Sequence, residues 1–481
     1  MSKRQVRAVR HMPSWAVLAV CCAAQFMVVL DISIVNVALP KMRTDLGLSA
    51  TGQQWIINAY TLTFAGFLMF GGRAADLFGR RRTFVFGLSL FTVSSLLGGL
   101  AQNGGSLIAA RAVQGVGGAI LAPATLSLIT TTFTEPSARR RALGAWSATA
   151  ASGSAVGVLA GGLLTDLLDW RWVLFVNVPI GCALVAAALA ALTESRAEQR
   201  PSLDVAGAVT VTGGLALLVY GIVSTDTRPW GSAATITTLA GAAALLAVFG
   251  AIEARTANPL VPLGIFRRRT VAAANGIAVT IGAALFGLFF FLSLYLQQVQ
   301  SYSPLKTGLA FLPAALSTMV GAIVGTRIVT VLGPRRQLVI GPVMAAGGLA
   351  WLSQLSAGDG YFSSVFAPLL LCGIGLGLSF VPMTIAATSD VPMHQAGLAS
   401  GLLNTSRQVG GAVGLAAMAT VAAAATTPTG GYDRAFWICA AALGVGAVLA
   451  LVLPSTPKPG SVAIPDVETL APDEGALVTS G

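Results

Sequence analysis

The sequence predicts an all-α polytopic membrane protein of fourteen spans, built as two six-helix bundles with two additional transmembrane helices between them. Three observations carry this expectation. The 481 residues are 55% hydrophobic and only 10% charged, with a mean hydropathy of +0.78, whereas soluble domains carry about 25% charged residues. Apolar runs of roughly 20 residues, the length that crosses about 30 Å of hydrocarbon as helix, recur along the chain. One charged link, residues 71–82 (GGRAADLFGRRR), returns in degenerate form 254 residues later at 326–336 (TRIVTVLGPRR). The runs are continuous rather than alternating, and in lipid every backbone group must be paired internally, so helices satisfy them and a barrel does not.

The first span is expected near 15–39. The preceding MSKRQVRAVRHMPS imitates a signal peptide, but the apolar run continues from Asp31 to Leu39 without a small-residue cleavage site, so a retained span is expected. Spans near 53–71, 83–101, 106–130, 142–166 and 172–193 complete an N-terminal bundle over 15–193. An inserted pair near 204–224 and 233–253 occupies 194–269 with its links. The C-terminal bundle, 270–453, holds spans near 270–297, 305–331, 337–357, 363–386, 397–425 and 434–453. Residues 1–14 read as a cytoplasmic N-terminus. The stretch 454–481, rich in Pro, Gly and acids, reads as a disordered cytoplasmic tail.

A shift of 254 residues tests the duplication. It places Gly79-Arg80-Arg81-Arg82 on Gly333-Pro334-Arg335-Arg336, and the link 134–141 on 388–395. Six spans therefore repeat in parallel, one of the architectures of membrane transporters. The second link has lost its acid, since Thr330 stands where Asp76 would map.

The net charge of +11 does not mark a nucleic-acid binder, because the charges sit in short gaps between apolar runs. With the N-terminus inside, twenty Lys and Arg fall on the inner side and six on the outer. That bias predicts an even span count, both termini cytoplasmic, and residence in the cell (cytoplasmic) membrane. The five cysteines lie in apolar runs without zinc-ligand spacing and read as packing residues. With only His11 and His394, no catalytic constellation forms; no G-x4-G-K-[ST] loop exists, and Gly115-Val116-Gly117-Gly118 sits mid-span with no strand before it. An enzyme, a nucleotide-driven pump, a metal site and a nucleic-acid partner are therefore not expected, and neither is any cofactor.

Charges within the membrane cost at least about 2.5–3.5 kcal/mol each at a helix centre and mark functional sites by default. They are Asp31, Arg111 and Arg407, with Arg327 snorkelling to the inner face. Asp31 lies roughly 13 Å deep from the outer end of its span and Arg111 roughly 8 Å, at 1.5 Å per residue. Two readings compete for this pair: Asp31 as a proton or cation carrier with Arg111 as its modulator, or a static ion pair that fixes packing. Arg407, near the midplane, reads as a substrate contact, a partner for Asp31 across the cavity, or a structural partner of carbonyls. A single embedded acid weighs against a specialist for divalent cations. Gly153, Gly157, Gly161 and Gly162 recur at about four-residue spacing, which lets helices approach closely and offers a flexing seam between the halves.

These residues together resemble the major facilitator superfamily, specifically its fourteen-span drug:proton antiporters of the EmrB/QacA type. Gly72-x3-Asp76-x2-Gly79-Arg80-Arg81 is similar to the superfamily's link between spans two and three, and Leu107-x3-Arg111-x2-Gln114-Gly115-x-Gly117 to its span-four signature. LDISIVNVALP (30–40), WRWVLFVNVPIG (170–181) and NPLVPLGIFRRR (258–269) resemble segments of the fourteen-span group. One departure is Val158, which replaces the proline of the antiporter signature in span five and leaves any kink there to the glycines.

The resemblance implies multidrug efflux and antibiotic resistance: proton-coupled antiport of drugs or other small, mostly apolar molecules by alternating access. It implies no cofactor beyond the proton gradient, and the lipid bilayer, protons and a small-molecule substrate as partners; whether an adaptor protein takes part stays open. It implies proton coupling at Asp31 and Arg111, and an inner-side gating latch of Gly72, Asp76, Gly79, Arg80 and Arg81. Asp76 is expected near the start of span thirteen, where a helix N-terminus favours an anion; the same arginines also serve to enforce topology. Candidates to line the substrate cavity are Asn36, Asn58, Tyr60, Tyr295, Asn404 and Arg407, with Trp55, Phe290 and Gln298. Export of an endogenous metabolite or lipid precursor, and import on the same fold, are the competing expectations.

Overall fold

The structure is a computed structural model that describes residues 13–195, 204–226, 228–256, 259–356, 358–391, 395–425 and 427–454. The expected N-terminal segment up to residue 12, the tail from 455, and Arg196, Arg200, Asn258 and His394 lie outside the described residues.

Among the described residues fourteen α-helices follow one another: α1 Ser14–Asp45, α2 Ala50–Phe78, α3 Arg80–Gly99, α4 Gly104–Thr132, α5 Pro136–Leu167, a short α6 Trp172–Phe175, α7 Asn177–Ala191, α8 Val205–Val223, α9 Ala233–Arg255, α10 Arg269–Leu294, α11 Pro304–Leu352, α12 Phe366–Thr388, α13 Ala396–Ala423 and α14 Pro428–Ala450. No strand occurs among the described residues. Polar residues at the ends stop the runs by satisfying first-turn N–H groups. Ser49, Asn103, Ser232, Ser303 and Thr427 each accept a hydrogen bond from the backbone three residues on. Glu135 caps α5, and its carboxyl is held below the usual range by the Ser137 hydroxyl and the N–H groups of Ser137 and Ala138.

Among the described residues twelve helices are long and apolar enough to cross a membrane, with α6 and α7 counted together as Trp172–Ala191. This differs from the fourteen expected from sequence for two reasons. The 49-residue α11 is one of the twelve yet is two helices joined at Gly333, where φ is 75° and ψ 161°. The 28-residue α13, which carries Arg407 and Asn404, is not among the twelve.

The link 71–82 is largely helix. Residues up to Phe78 continue α2 and Arg80 opens α3, so the reversal falls on Gly79, with φ 106° and ψ 140°, a conformation side-chain-bearing residues rarely adopt. Gly79 and Gly333 occupy equivalent positions and hold the same kind of backbone turn. The next crossing repeats too. A methyl group on Gly117 would lie 3.1 Å from the Gly87 carbonyl oxygen, and one on Gly375 would lie 2.5 Å from that of Gly341. The expected sixth span is interrupted at Val176, between α6 and α7.

The ends where α1 begins and α2 finishes carry most of the arginines, so this is the arginine-rich end of the molecule. At the opposite end α1 is hydrogen-bonded to α10 and the turn after it, Ser293 Oγ to the Asn36 carbonyl at 3.2 Å and Gln297 Nε2 to that of Val37 at 2.9 Å. The inserted α8 packs between the bundles: Leu215 and Val219 join Leu62 of α2 and Ala412 and Ala416 of α13 in one buried cluster. Its partner α9 is mostly exposed apolar surface, with Thr235, Ala242 and Glu253 as its buried residues, as suits a helix that faces lipid.

Candidate functional site

Five elements of the first bundle converge on Asp31. Both it and its surroundings are dry: Asp31 is 0% exposed, Arg111 2%, Gln114 1%, Asn177 0% and Ser95 0%. Asp31 Oδ2 accepts from Arg111 Nη1 at 2.6 Å. Asp31 Oδ1 accepts from Gln114 Nε2 at 2.8 Å and from Asn177 Nδ2 at 2.9 Å. Asn177 also donates to Ser95 Oγ, which in turn donates to the Leu174 carbonyl.

The cation has alternatives to the carboxylate. Arg111 Nη1 donates to Gln114 Oε1 at 2.7 Å, and Nε reaches the Ile56 carbonyl at 3.4 Å. Its guanidinium lies over the Tyr60 ring, 4.3 Å from the centroid. A buried ion pair is tolerable only when further hydrogen bonds satisfy both partners, and that condition is met here. The Tyr60 hydroxyl and Asn177 Oδ1, both buried, have no hydrogen-bond partner among the described residues. The cluster can therefore hold Asp31 charged, and it keeps partners for Arg111 when Asp31 is neutral.

The sequence brought Asp31 and Arg111 to compatible depths, and they are in direct contact. It did not single out Gln114 and Asn177 as their partners. Gln114 stood inside the span-four motif, three residues from Arg111 and so on the same helix face. Asn177 interrupts an apolar run, and a polar amide in such a run was the available signal. Tyr60, expected in the substrate cavity, is spent on Arg111 and stacks on Phe64.

The other expected cavity residues are dispersed. Tyr295 is 1% exposed, donates to the Ser356 carbonyl and accepts from Gln300 at the arginine-poor end. Asn36 folds back on the Ile32 carbonyl, and Trp55 packs against Tyr220 of α8. Asn58 is 0% exposed, with neither amide atom hydrogen-bonded among the described residues. Arg407 does not meet Asp31. It donates to Asn404 Oδ1 at 2.7 Å and lies 5.7 Å from the Phe380 ring centroid, while Asp31 is already satisfied by Arg111. Phe290 and Gln298 line a pocket of about 160 Å³ at the arginine-poor end, with Arg43, Gln53, Gln54 and Tyr432.

At the arginine-rich end Asp76 faces Arg80 at 3.6 Å. Arg80 also donates from Nε to Ser127 Oγ at 2.7 Å and from Nη1 to Ser195 Oγ. Arg81 donates to the Leu189 carbonyl, and Arg82 faces Glu194 at 3.6 Å. α2 meets α13 at Met69 and Gly401, while the Asp76 carboxylate turns to its own link. Gly72 has no neighbour closer than ordinary contact; the glycine that close packing requires is Gly71, seated against the Ala119 carbonyl and Ile120 of α4.

The glycine stripe of α5 also divides. Methyl groups on Gly153, Gly157 and Gly161 would lie 3.0, 2.8 and 2.6 Å from the carbonyl oxygens of Phe26, Leu30 and Ile34, all on α1 of the same bundle. Only Gly162 faces the other half, 2.6 Å from the Pro304 carbonyl oxygen by the same measure, and Gly308 answers it against Val158 at 2.7 Å. A seam between the halves therefore runs through Val158, Gly162 and Gly308.

Fold and site define a helical membrane transporter of two similar bundles, with the buried Asp31–Arg111 ion pair in the first. The sequence profile of the Major Facilitator Superfamily matches residues 21–415. The chain is 43% identical over 466 residues to a cephamycin export protein of Amycolatopsis lactamdurans, covering 94% of this chain and 95% of that one. It is 41% identical over 415 residues to a puromycin resistance protein of Streptomyces alboniger, covering 86% and 82%. A crystal structure of a peptide transporter in complex with sulfate superposes with a TM-score of 0.67 at 16% identity, over 91% of this chain and 94% of that one; at that identity the likeness concerns the fold. The chain belongs to the major facilitator superfamily, and it is a transporter rather than an enzyme.

Proposed function

We propose that this protein exports antibiotics or related small, mostly apolar molecules in exchange for protons, with Asp31 as the proton carrier and Arg111 its partner. The observation that carries the reading is the dry carboxylate of Asp31, held by Arg111, Gln114 and Asn177. Relatives named for cephamycin export and puromycin resistance support the direction and the class of cargo. When Asp31 takes a proton, the ion pair loses its anion. Arg111 then keeps Gln114 Oε1, the Ile56 carbonyl and the face of Tyr60. A proton at this point thus exchanges one hydrogen-bonded arrangement for another without leaving a bare charge in a dry site.

In this reading the chain crosses the cytoplasmic membrane fourteen times, with α11 contributing two spans and α13 one, and both termini are cytoplasmic. The arginine-rich end is the inner side. The α1–α10 hydrogen bonds and the Gly162–Gly308 seam close the outer side, and the Asp76–Arg80 pair acts as the inner latch. The proton gradient drives the cycle without a cofactor.

Inverted vesicles test the direction. With an acidified lumen, vesicles carrying the protein accumulate puromycin, or whichever compound gives the widest difference in susceptibility between host cells with and without the protein. Accumulation that ignores the gradient removes proton coupling, and gradient-driven loss from the lumen makes the protein an importer.

A further inference from the structure

A second pair of buried carboxyl groups lies far from Asp31 in sequence, on the inserted hairpin. Asp204 caps α8 and Glu253 sits in the last turn of α9; they are 7% and 3% exposed. Each has one oxygen in use. Asp204 Oδ1 accepts from the Gly207 N–H at 2.7 Å, and Glu253 Oε2 from the Val261 N–H at 2.9 Å. Their other oxygens, Asp204 Oδ2 and Glu253 Oε1, are buried without a hydrogen-bond partner among the described residues. Both point to one place: a methyl group on Gly207 would lie 2.6 Å from Asp204 Oδ2 and 3.0 Å from Glu253 Oε1.

The charged groups acting on Glu253 are Asp204 and Arg73, and those acting on Arg73 are Glu253 and Asp204. Arg73, on α2, also donates to the Pro259 carbonyl, so the segment carrying Val261 touches both the cation and the acid. Nearby Arg255 and Arg267 are exposed. α13, which packs on α8, carries Arg407 as its one charged residue, and Asp76 of α2 is turned to Arg80. Two carboxylates against one guanidinium leave an excess negative charge in a buried place, and acids this close do not both ionise. A single proton removes the excess and gives both orphan oxygens a partner, one as donor and one as acceptor.

We propose that Asp204 and Glu253 share one bound proton, a proton-binding site separate from Asp31, which fastens the α8–α9 hairpin to α2 one turn before the Asp76–Arg80 pair. The site gives the two inserted helices a role beyond filling space. It takes a proton because Arg73, the cation acting on both acids, leaves one negative charge over, and because the two orphan oxygens face one place beside Gly207. It stands independently of the export reading.

The test uses the full-length protein in detergent. In the Asp31→Asn protein, which retains the pair, infrared difference spectra across a pH step show the carbonyl band of a protonated carboxyl group at neutral pH. The band disappears when Glu253→Gln or Asp204→Asn is added. Thermal unfolding gives a second readout. A native state that holds a proton the unfolded chain releases loses stability as pH rises, so wild type and Asp31→Asn share a fall in Tm toward alkaline pH that Glu253→Gln, a mimic of the protonated acid, abolishes. No carboxyl band in Asp31→Asn at neutral pH, or a band that survives in both added variants, overturns the proposal. So does an unchanged Tm slope in Glu253→Gln.

Discussion

Gly79 and Gly333 turn the chain with the same positive φ and extended ψ, and Gly117 and Gly375 each let the neighbouring helix approach closely, in the first and second bundles. Even the hydrogen bond across the turn has a counterpart: Thr83 Oγ1 donates to the Ala74 carbonyl in one half, and Gln337 Nε2 to those of Gly325 and Leu378 in the other. Around this shared backbone the side chains diverge. In the register set by Gly117 and Gly375, Leu369 and Cys372 stand where the first half has Arg111 and Gln114, and both are 0% exposed. Thr330, which donates to the Arg327 carbonyl one turn back, replaces Asp76. At the place matching Arg111 and Gln114, then, the second bundle packs with apolar side chains and the first with an ion pair that is costly to desolvate.

The largest effect expected from breaking that contrast is at Arg111. Arg111→Leu strands Asp31 in a dry site and should cost about 3–5 kcal/mol, read as a large fall in Tm in detergent, with Asp31→Asn in the same chain restoring much of it. At the matching place in the second half Leu369→Met, which conserves volume, should cost less than about 1.5 kcal/mol. Equal losses at the two places would show that the halves are not divided in this way.

The two turns offer a finer comparison. Gly79→Ala and Gly333→Ala each force a side chain into a positive-φ, extended-ψ conformation that essentially only glycine adopts, and should each cost about 1–3 kcal/mol. The backbone part of the losses should match, while export falls further in Gly79→Ala, whose methyl group also meets the Glu194 carboxylate and whose turn adjoins Asp76 and Arg80. Asn177→Ala removes one of three donors to Asp31; the expected loss is roughly 0.6 kcal/mol, the average for a hydrogen bond between transmembrane helices, with a disproportionate fall in proton-coupled export. Smallest of all is Thr330→Asp. It returns an acid to the second link, but Pro334 stands where Arg80 would provide its partner, and the change in stability should stay within about 0.5 kcal/mol.

The helical fold, the duplication and the pairing of Asp31 with Arg111 were legible because each depends on a strong local signal: apolar run length, a charged interruption, and a rare ion in lipid. What the chain concealed depends on direction around a helix. Tyr60 and Asn58 are two residues apart on α2, and only packing decides that one lies under Arg111 while the other has no partner. Gly153 and Gly162 belong to one stripe, yet a drift around the α5 axis turns the first to α1 and the second to the opposite half. Asp204 and Glu253 sat at expected span ends and were not singled out; burial follows from the way α8 and α9 fold onto α2 and the segment after them, which no single run reveals. Tyr295 was one of several cavity candidates on an apolar helix, and the turn at residues 295–299, which no run reveals, places its hydroxyl on the Ser356 carbonyl.

The central claim is that Asp31 carries the exchanged proton, and substrate-induced proton release tests it most directly. Purified protein in weakly buffered detergent receives an exported compound while a pH-sensitive dye reports protons. Wild type should release protons on binding, and Asp31→Asn should bind the compound and release none. Release from Asp31→Asn equal to that of wild type would contradict the account.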